Sequence, residues 1–171
     1  VGLANVKLDV QVGRRYISRK RSVAVNPLQD MFQQVNKRFI DLEKNDPEKL
    51  QNPQWMKKNL PFTGELFLGH LRYGTFGGNT IEQCHPFLRQ NNWKTRNIAL
   101  AGNFNMTNVD ELFQHLVDLG QHPKEMSDTV TILEKIGHFL DEENENIYYK
   151  HKENLSKKEI TKVIEDELNL Q

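Results

Sequence analysis

The 171-residue chain has a single cysteine, Cys84. One thiol cannot build a disulfide framework, so a reducing, cytoplasmic setting is expected. Net charge is missing as well. Twenty-three basic residues meet 23 acidic ones, and the pI is about 7.2. That balance removes the global field that draws a protein to nucleic acid or to an anionic membrane. No apolar run approaches the ~20 residues that a membrane-spanning helix needs, so neither nucleic acid nor membrane is expected as a partner. The opening residues Val1 to Asn5 show no basic n-region and no signal-type apolar core. Neither a GxGxxG fingerprint nor a P-loop occurs. The six histidines show no HExxH or paired Cys/His spacing, so no metal site is expected.

What is present is the length of one domain, enough to bury a core, with strand patterns first and helical patterns later. Leu3 to Val12 and Arg15 to Ser18 alternate around Gly13 and predict a hairpin. From Asn26 and Pro27 the period changes. Leu28, Met31, Phe32, Val35, Phe39 and Leu42 recur at helical spacing. Asn45 to Leu60 is polar and carries Pro47 and Pro53, a helical or irregular excursion. Glu65 to Tyr73 and Arg96 to Asn105 are two apolar strand candidates. Thr107 with Asp110 resembles a capping box before a helix that ends at Gly120. Further helices begin near Ser127 and at Ser156–Glu159, with the charged stretch Asp141 to Asn154 exposed between them. This order favours an α+β fold over a doubly wound parallel sheet.

Several residues could carry chemistry, and each has a plainer use. Arg72, near a strand end, could grip a carboxylate with two charge-assisted hydrogen bonds, or could simply reach out from a sheet edge. Thr75, Gly77 and Gly78 make the following turn permissive. Asn103, between Gly102 and Phe104, could stabilise an oxyanion, or could be a turn residue. Asp128 at a helix start could hold an ammonium group, or could serve the helix dipole. Cys84 beside His85 and Pro86 invites a nucleophile reading. Its apolar neighbours Phe87 and Leu88 favour a small core residue instead. The basic run Arg14, Arg15, Arg19, Lys20 and Arg21 is interrupted by Tyr16 and Ile17 at strand spacing, which predicts a solvated strand face rather than a nucleic-acid site.

Taken in order, Gly69-His70-x-Arg72-Tyr73-x-Thr75, Cys84-His85-Pro86-Phe87, Ala101-Gly102-Asn103-Phe104-Asn105-x-x-Asn108 and Ser127-Asp128-Thr129 resemble the class II glutamine amidotransferases. The likeness runs from about Gly64 to Leu140. It is strongest to members that pass ammonia to a phosphoribosyl acceptor in purine synthesis. The resemblance implies an N-terminal-nucleophile hydrolase fold, a four-layer αββα sandwich. It also implies that a cysteine thiolate at the mature N-terminus attacks the glutamine carboxamide, releasing ammonia. By the same resemblance, Arg72 holds the glutamine α-carboxylate and Asp128 its α-ammonium. The Asn103 amide and the backbone N–H of Phe104 form the oxyanion hole, while Thr75 and His85 line or support the pocket. No cofactor is implied in this domain. Magnesium would belong to a separate phosphoribosyltransferase domain, and a homo-oligomer is implied.

Three departures shape the expectation. Residue 1 is Val1, not cysteine, and the opening resembles the stretch just after the family's His-Arg-Gly-Gln segment. Residues 1–171 therefore read as a glutaminase domain lacking its N-terminal segment and its synthase domain, inactive alone. Family members usually have Asn-Gly where this chain has Asn103-Phe104, which raises the question whether that turn needs a glycine conformation. Residues 26–60 exceed the usual connection and read as a helical insertion. Two further readings stand beside the glutaminase. One is a non-catalytic amino-acid-binding module, and the other is a scaffold without a ligand.

Overall fold

The computed structural model describes residues 1–72 and 80–168. It mixes helices with short antiparallel strands, as an α+β chain does, and resolves into two compact units, Val1–Pro86 and Phe87–Gln171.

In the first unit, strand β1 (Gly2–Val6) is central, flanked antiparallel by β2 (Ile17–Arg21) and β3 (Leu66–His70). The predicted hairpin therefore exists with shorter arms. Beyond Val6 the Lys7 N–H still reaches the Tyr16 carbonyl at 2.8 Å. Lys7 then turns inward, 4% exposed, and Asp9 takes a left-handed backbone at φ 54°. A left-handed residue turns the chain out of the extended conformation and ends the strand. Asn5, fully buried, bridges two strands through its amide. Its Nδ2 donates to the Leu66 carbonyl, and its Oδ1 accepts from the Gly64 N–H, each at 2.9 Å. Gly64 is required there, because a Cβ would run into the Val6 backbone.

Helix α1 (Pro27–Asn45) starts at proline, whose missing N–H costs a first turn nothing. Asn26 is its N-cap position but makes no capping hydrogen bond. The 45–60 excursion is helical. A 3-10 turn (Pro47–Gln51) leads into α2 (Pro53–Asn59), capped by Asn52 accepting from the Trp55 N–H at 2.9 Å.

The second unit holds β4 (Phe87–Arg89) paired with β5 (Ile98–Leu100), then α3 (Val109–Asp118), α4 (Asp128–His151) and α5 (Lys157–Glu167). The strand expected over Arg96–Asn105 contracts to three residues. A 3-10 turn (Lys94–Arg96) takes its start, locked by Asn97, whose Nδ2 donates to the carbonyls of Asn91, Trp93 and Lys94. The Thr107–Asp110 capping box is not formed; Asn108 occupies the N-cap of α3. At the other end Gly120, φ 83°, closes the helix in a Schellman arrangement. Its N–H reaches the Val117 carbonyl, and that of Gln121 reaches Leu116.

The exposed connection expected over Asp141–Asn154 is instead the second half of α4. Leu133, Leu140, Asn144 and Ile147 form one buried stripe at helical spacing, which outweighs the local charge density. Ile147 packs with Ile160 and Ile164 of α5, each at most 5% exposed. Burying each such side chain contributes roughly 1.5–3 kcal/mol. The Ser156–Glu159 capping box opens α5 as the sequence predicts.

From β4, Arg89 lies over Gly137 of α4, where any Cβ would collide with its guanidinium. Its Nε reaches Glu134 at 3.2 Å and its Nη2 reaches Asp141 at 2.5 Å. Among the described residues no helix is long and apolar enough to cross a membrane.

Candidate functional site

Arg72 and His85 fall in the first unit, whereas Asn103, Phe104 and Asp128 fall in the second. Thr75, with Gly77 and Gly78, lies outside the described residues.

Just past the end of β3, Arg72 is exposed and donates from Nη1 to the Gln83 carbonyl at 2.7 Å. That bond holds the guanidinium by one edge, and among the described residues the rest of its fork is open to an anion. Its electrostatic neighbours are His70 and His85, whose rings stack with centroids 4.5 Å apart. His85 is 6% exposed and precedes Pro86 across a cis peptide bond. Burial, then His70, then Arg72 push its pKa down to about 4. Burial foremost, with nearby positive charge, lowers that of His70 as well. Both rings are thus neutral near pH 7, since a charge there would be desolvated beside a cation. Two buried polar atoms of these segments, His70 Nδ1 and Gln83 Oε1, have no hydrogen-bond partner among the described residues. Orphaned polar atoms beside an exposed guanidinium suit a polar ligand.

His70 has no role in the motif reading. Its position two residues before Arg72 in an extended segment was the available signal, because alternate residues share a face. Cys84 is buried and donates through Sγ to the Thr80 carbonyl at 3.6 Å, as a small core residue would.

In the second unit, Asp128 is the first residue of α4, half-buried. Ser127 before it accepts from the Val130 N–H at 3.3 Å, so the cap is supplied by the serine. The aspartate reaches sideways instead, and its Oδ2 accepts from the Met106 N–H at 2.9 Å. This bond ties the helix start to the segment just after Asn103 and Phe104. Asn103 is exposed and Phe104 half-buried. The question of a glycine conformation at Phe104 has a direct answer. Among the described non-glycine residues only Asp9 and Phe62 have positive φ, so Phe104 sits in ordinary backbone. Its ring folds over Gly102, where a Cβ would collide with it. The close approach here is at Gly102, two residues before Phe104, and involves the Phe104 ring rather than a positive φ.

No group of three or more His, Cys, Asp or Glu side chains that could hold a metal ion occurs among the described residues.

No family model matches the chain, and no solved structure matches it. Part of the chain is similar to proteins named amidophosphoribosyltransferase. The one from Lacticaseibacillus casei is 38% identical over 76 residues, covering 44% of this chain and 38% of that protein. The one from Methanocaldococcus jannaschii is 42% identical over 53 residues, 31% of this chain and 11% of that protein. A glutamine–fructose-6-phosphate aminotransferase from Sulfurisphaera tokodaii is 34% identical over 92 residues, 54% of this chain and 15% of that protein. The matched stretches thus span well under half of each relative, and between about a third and a half of this chain is similar to proteins of these names.

Proposed function

We propose that the chain is part of the glutaminase domain of a glutamine-dependent amidotransferase of the amidophosphoribosyltransferase kind. The partial-length likeness to several proteins of that name carries the reading. The exposed Arg72 fork, held by one edge beside two neutral histidines, supports it. In this reading the αββα sandwich is completed by a segment ahead of Val1 that brings the cysteine nucleophile. Residues 26–60 are a helical insertion, and a synthase domain receives the ammonia.

The roles follow from the charge of the substrate. Glutamine is a zwitterion with a carboxamide at its far end. Arg72 takes the α-carboxylate through two parallel N–H···O bonds, and Asp128 takes the α-ammonium. The Asn103 amide and the Phe104 N–H donate to the oxyanion formed when the thiolate adds to the carboxamide carbon, an interaction worth roughly 2.7–4 kcal/mol. Ammonia leaves, and water then cleaves the thioester. Thr75 lines the pocket, and His85, neutral and buried, supports Arg72. The domain needs no cofactor, and magnesium belongs to the phosphoribosyltransferase partner domain. The protein works as a cytoplasmic homo-oligomer.

The test is calorimetric titration of L-glutamine into the full-length protein and its Arg72→Ala variant, with ammonia release measured alongside. Saturable binding that vanishes in the variant, together with ammonia release by the parent, is expected. Unchanged affinity in the variant would remove the reading. Binding without ammonia release would turn it into the non-catalytic module.

A further inference from the structure

The first unit contains a concave pocket of about 590 Å³, far from charge balance. Its walls come from three places: the β1–β2 loop with β2, helix α1, and the segment after α2. The loop and strand contribute Arg14, Arg15, Arg19 and Lys20. Helix α1 contributes Lys37 and Arg38 together with Gln34, residues that share one helix face by their spacing of three and four. Lys58 closes the third side. No acidic side chain lines the pocket. None of these cations takes part in an ion pair among the described residues, although Arg19 donates to the Pro86 carbonyl at 3.2 Å.

Two further observations separate this from an ordinary solvated face. Lys7 lines the pocket from below and is 4% exposed. Its Nζ donates to the Lys57 and Leu60 carbonyls at 2.6 and 2.5 Å, which leaves one of three donors unused among the described residues. Burial, and then the Lys57 charge, disfavours its protonated form, a penalty that an arriving anion would relieve. The floor itself is apolar, formed by buried Val35, Leu60 and Phe62. Phe62 holds a left-handed backbone at φ 59°, which is strained for a bulky side chain. Strain of this kind persists only where the surroundings over-determine it, and here it shapes the pocket floor.

From this arrangement we infer that the pocket is a binding site for a small polyanion carrying two or more phosphate groups. Cations on three walls suit a ligand with several charged groups, and arginine forks match phosphate oxygens bidentately. The size is that of a small-molecule site. A nucleic-acid surface would show instead as an open stripe or patch along one face. The site is distinct from Arg72 and from the glutamine reading, so either can fail alone.

The experiment is isothermal titration of inorganic tripolyphosphate into the full chain at about 150 mM salt. Sodium sulfate at matched ionic strength, citrate and a 20-nucleotide single strand serve as competitors. Saturable binding with one site per chain is expected, weakened about 10- to 100-fold in Arg38→Glu and likewise in Lys58→Glu. Both variants change exposed side chains, and circular dichroism verifies their fold. Absence of saturable binding would overturn the proposal, as would unchanged affinity in both folded variants. Citrate binding as tightly as tripolyphosphate would overturn the phosphate class. An oligonucleotide that binds more tightly than tripolyphosphate would replace the small ligand with a nucleic-acid surface.

Discussion

The two units divide the charge of a neutral chain unequally. Residues 1–86 carry thirteen basic side chains against eight acidic ones, and residues 87–171 carry ten against fifteen. How the cations are used differs more than their number. In the second unit Arg89 lies across Gly137 with one carboxylate on either side, and Arg96 approaches Asp141 at 3.6 Å. There guanidinium groups act as structural joints that tie β4 and the 3-10 turn at Lys94–Arg96 to α4. In the first unit Arg14, Arg15, Lys37, Arg38 and Lys58 face a common hollow with no counter-charge, and among the described residues Arg72 is held by the Gln83 carbonyl. Like charges gathered without a partner repel, so the fold gains nothing from them by itself. Arginines with the same chemistry therefore carry opposite information. Paired with carboxylates they explain the fold, and left unpaired in a hollow they point to a ligand.

That contrast can be broken in three places. The largest effect is expected at Arg89. Arg89→Ala leaves Glu134 without its cation and Asp141 with only the longer Arg96 contact, and should cost about 3 kcal/mol in urea denaturation. A loss under about 0.5 kcal/mol would mean that the second unit's ion pairs are no more structural than the first unit's free cations.

The next effect is a pH dependence in the first unit. His85 is held at a pKa of about 4, whereas an unfolded histidine titrates near 6.5. The unfolded chain binds this proton first. The stability tied to neutral His85 is thus fully present above pH ~6.5 and is lost as the pH falls towards 4, in all about 2–3 kcal/mol. Urea denaturation of the parent and of His85→Gln at pH 7 and pH 4.5 should show a smaller drop in the variant. Parallel drops would place the acid sensitivity elsewhere.

The smallest effect is expected at Arg38. An exposed cation without a counter-ion contributes little to folding, so Arg38→Ala should shift stability by no more than ~0.5 kcal/mol. A loss above about 1 kcal/mol would make the basic pocket part of the fold and erase the contrast.

Some features were legible because their cause is local. Pro27 opens α1, Gly120 closes α3, and Ser156 with Glu159 caps α5, each decided within one turn of chain. Asp128 at a helix start was legible for the same reason. Elsewhere distant partners overrode local pattern. β4 went unpredicted because three residues between Pro86 and Gln90 show no period of their own and become a strand only by pairing with β5. The dense charge of Asp141–Glu145 suggested a connection, but the stripe Leu140, Asn144 and Ile147 carries α4 through it. The basic run Arg14–Arg21 read as a solvated strand face. Instead Arg14 and Arg15 precede the strand, while Arg21 donates to the Glu82 and Cys84 carbonyls.

By itself, then, the sequence determined the starts of α1, α4 and α5 and the stop of α3, the α+β class, and the likeness to glutamine amidotransferases. Caps, periods and motif order are written within a few residues. Only the tertiary structure decided which charges are paired and which are left open, that His70 stacks on His85, and that Phe104 needs no glycine conformation. The first two facts depend on residues well separated along the chain, and the third on a backbone conformation that residue identity leaves open. A side chain's electrostatic environment is set by whatever the fold brings beside it, not by its neighbours along the chain.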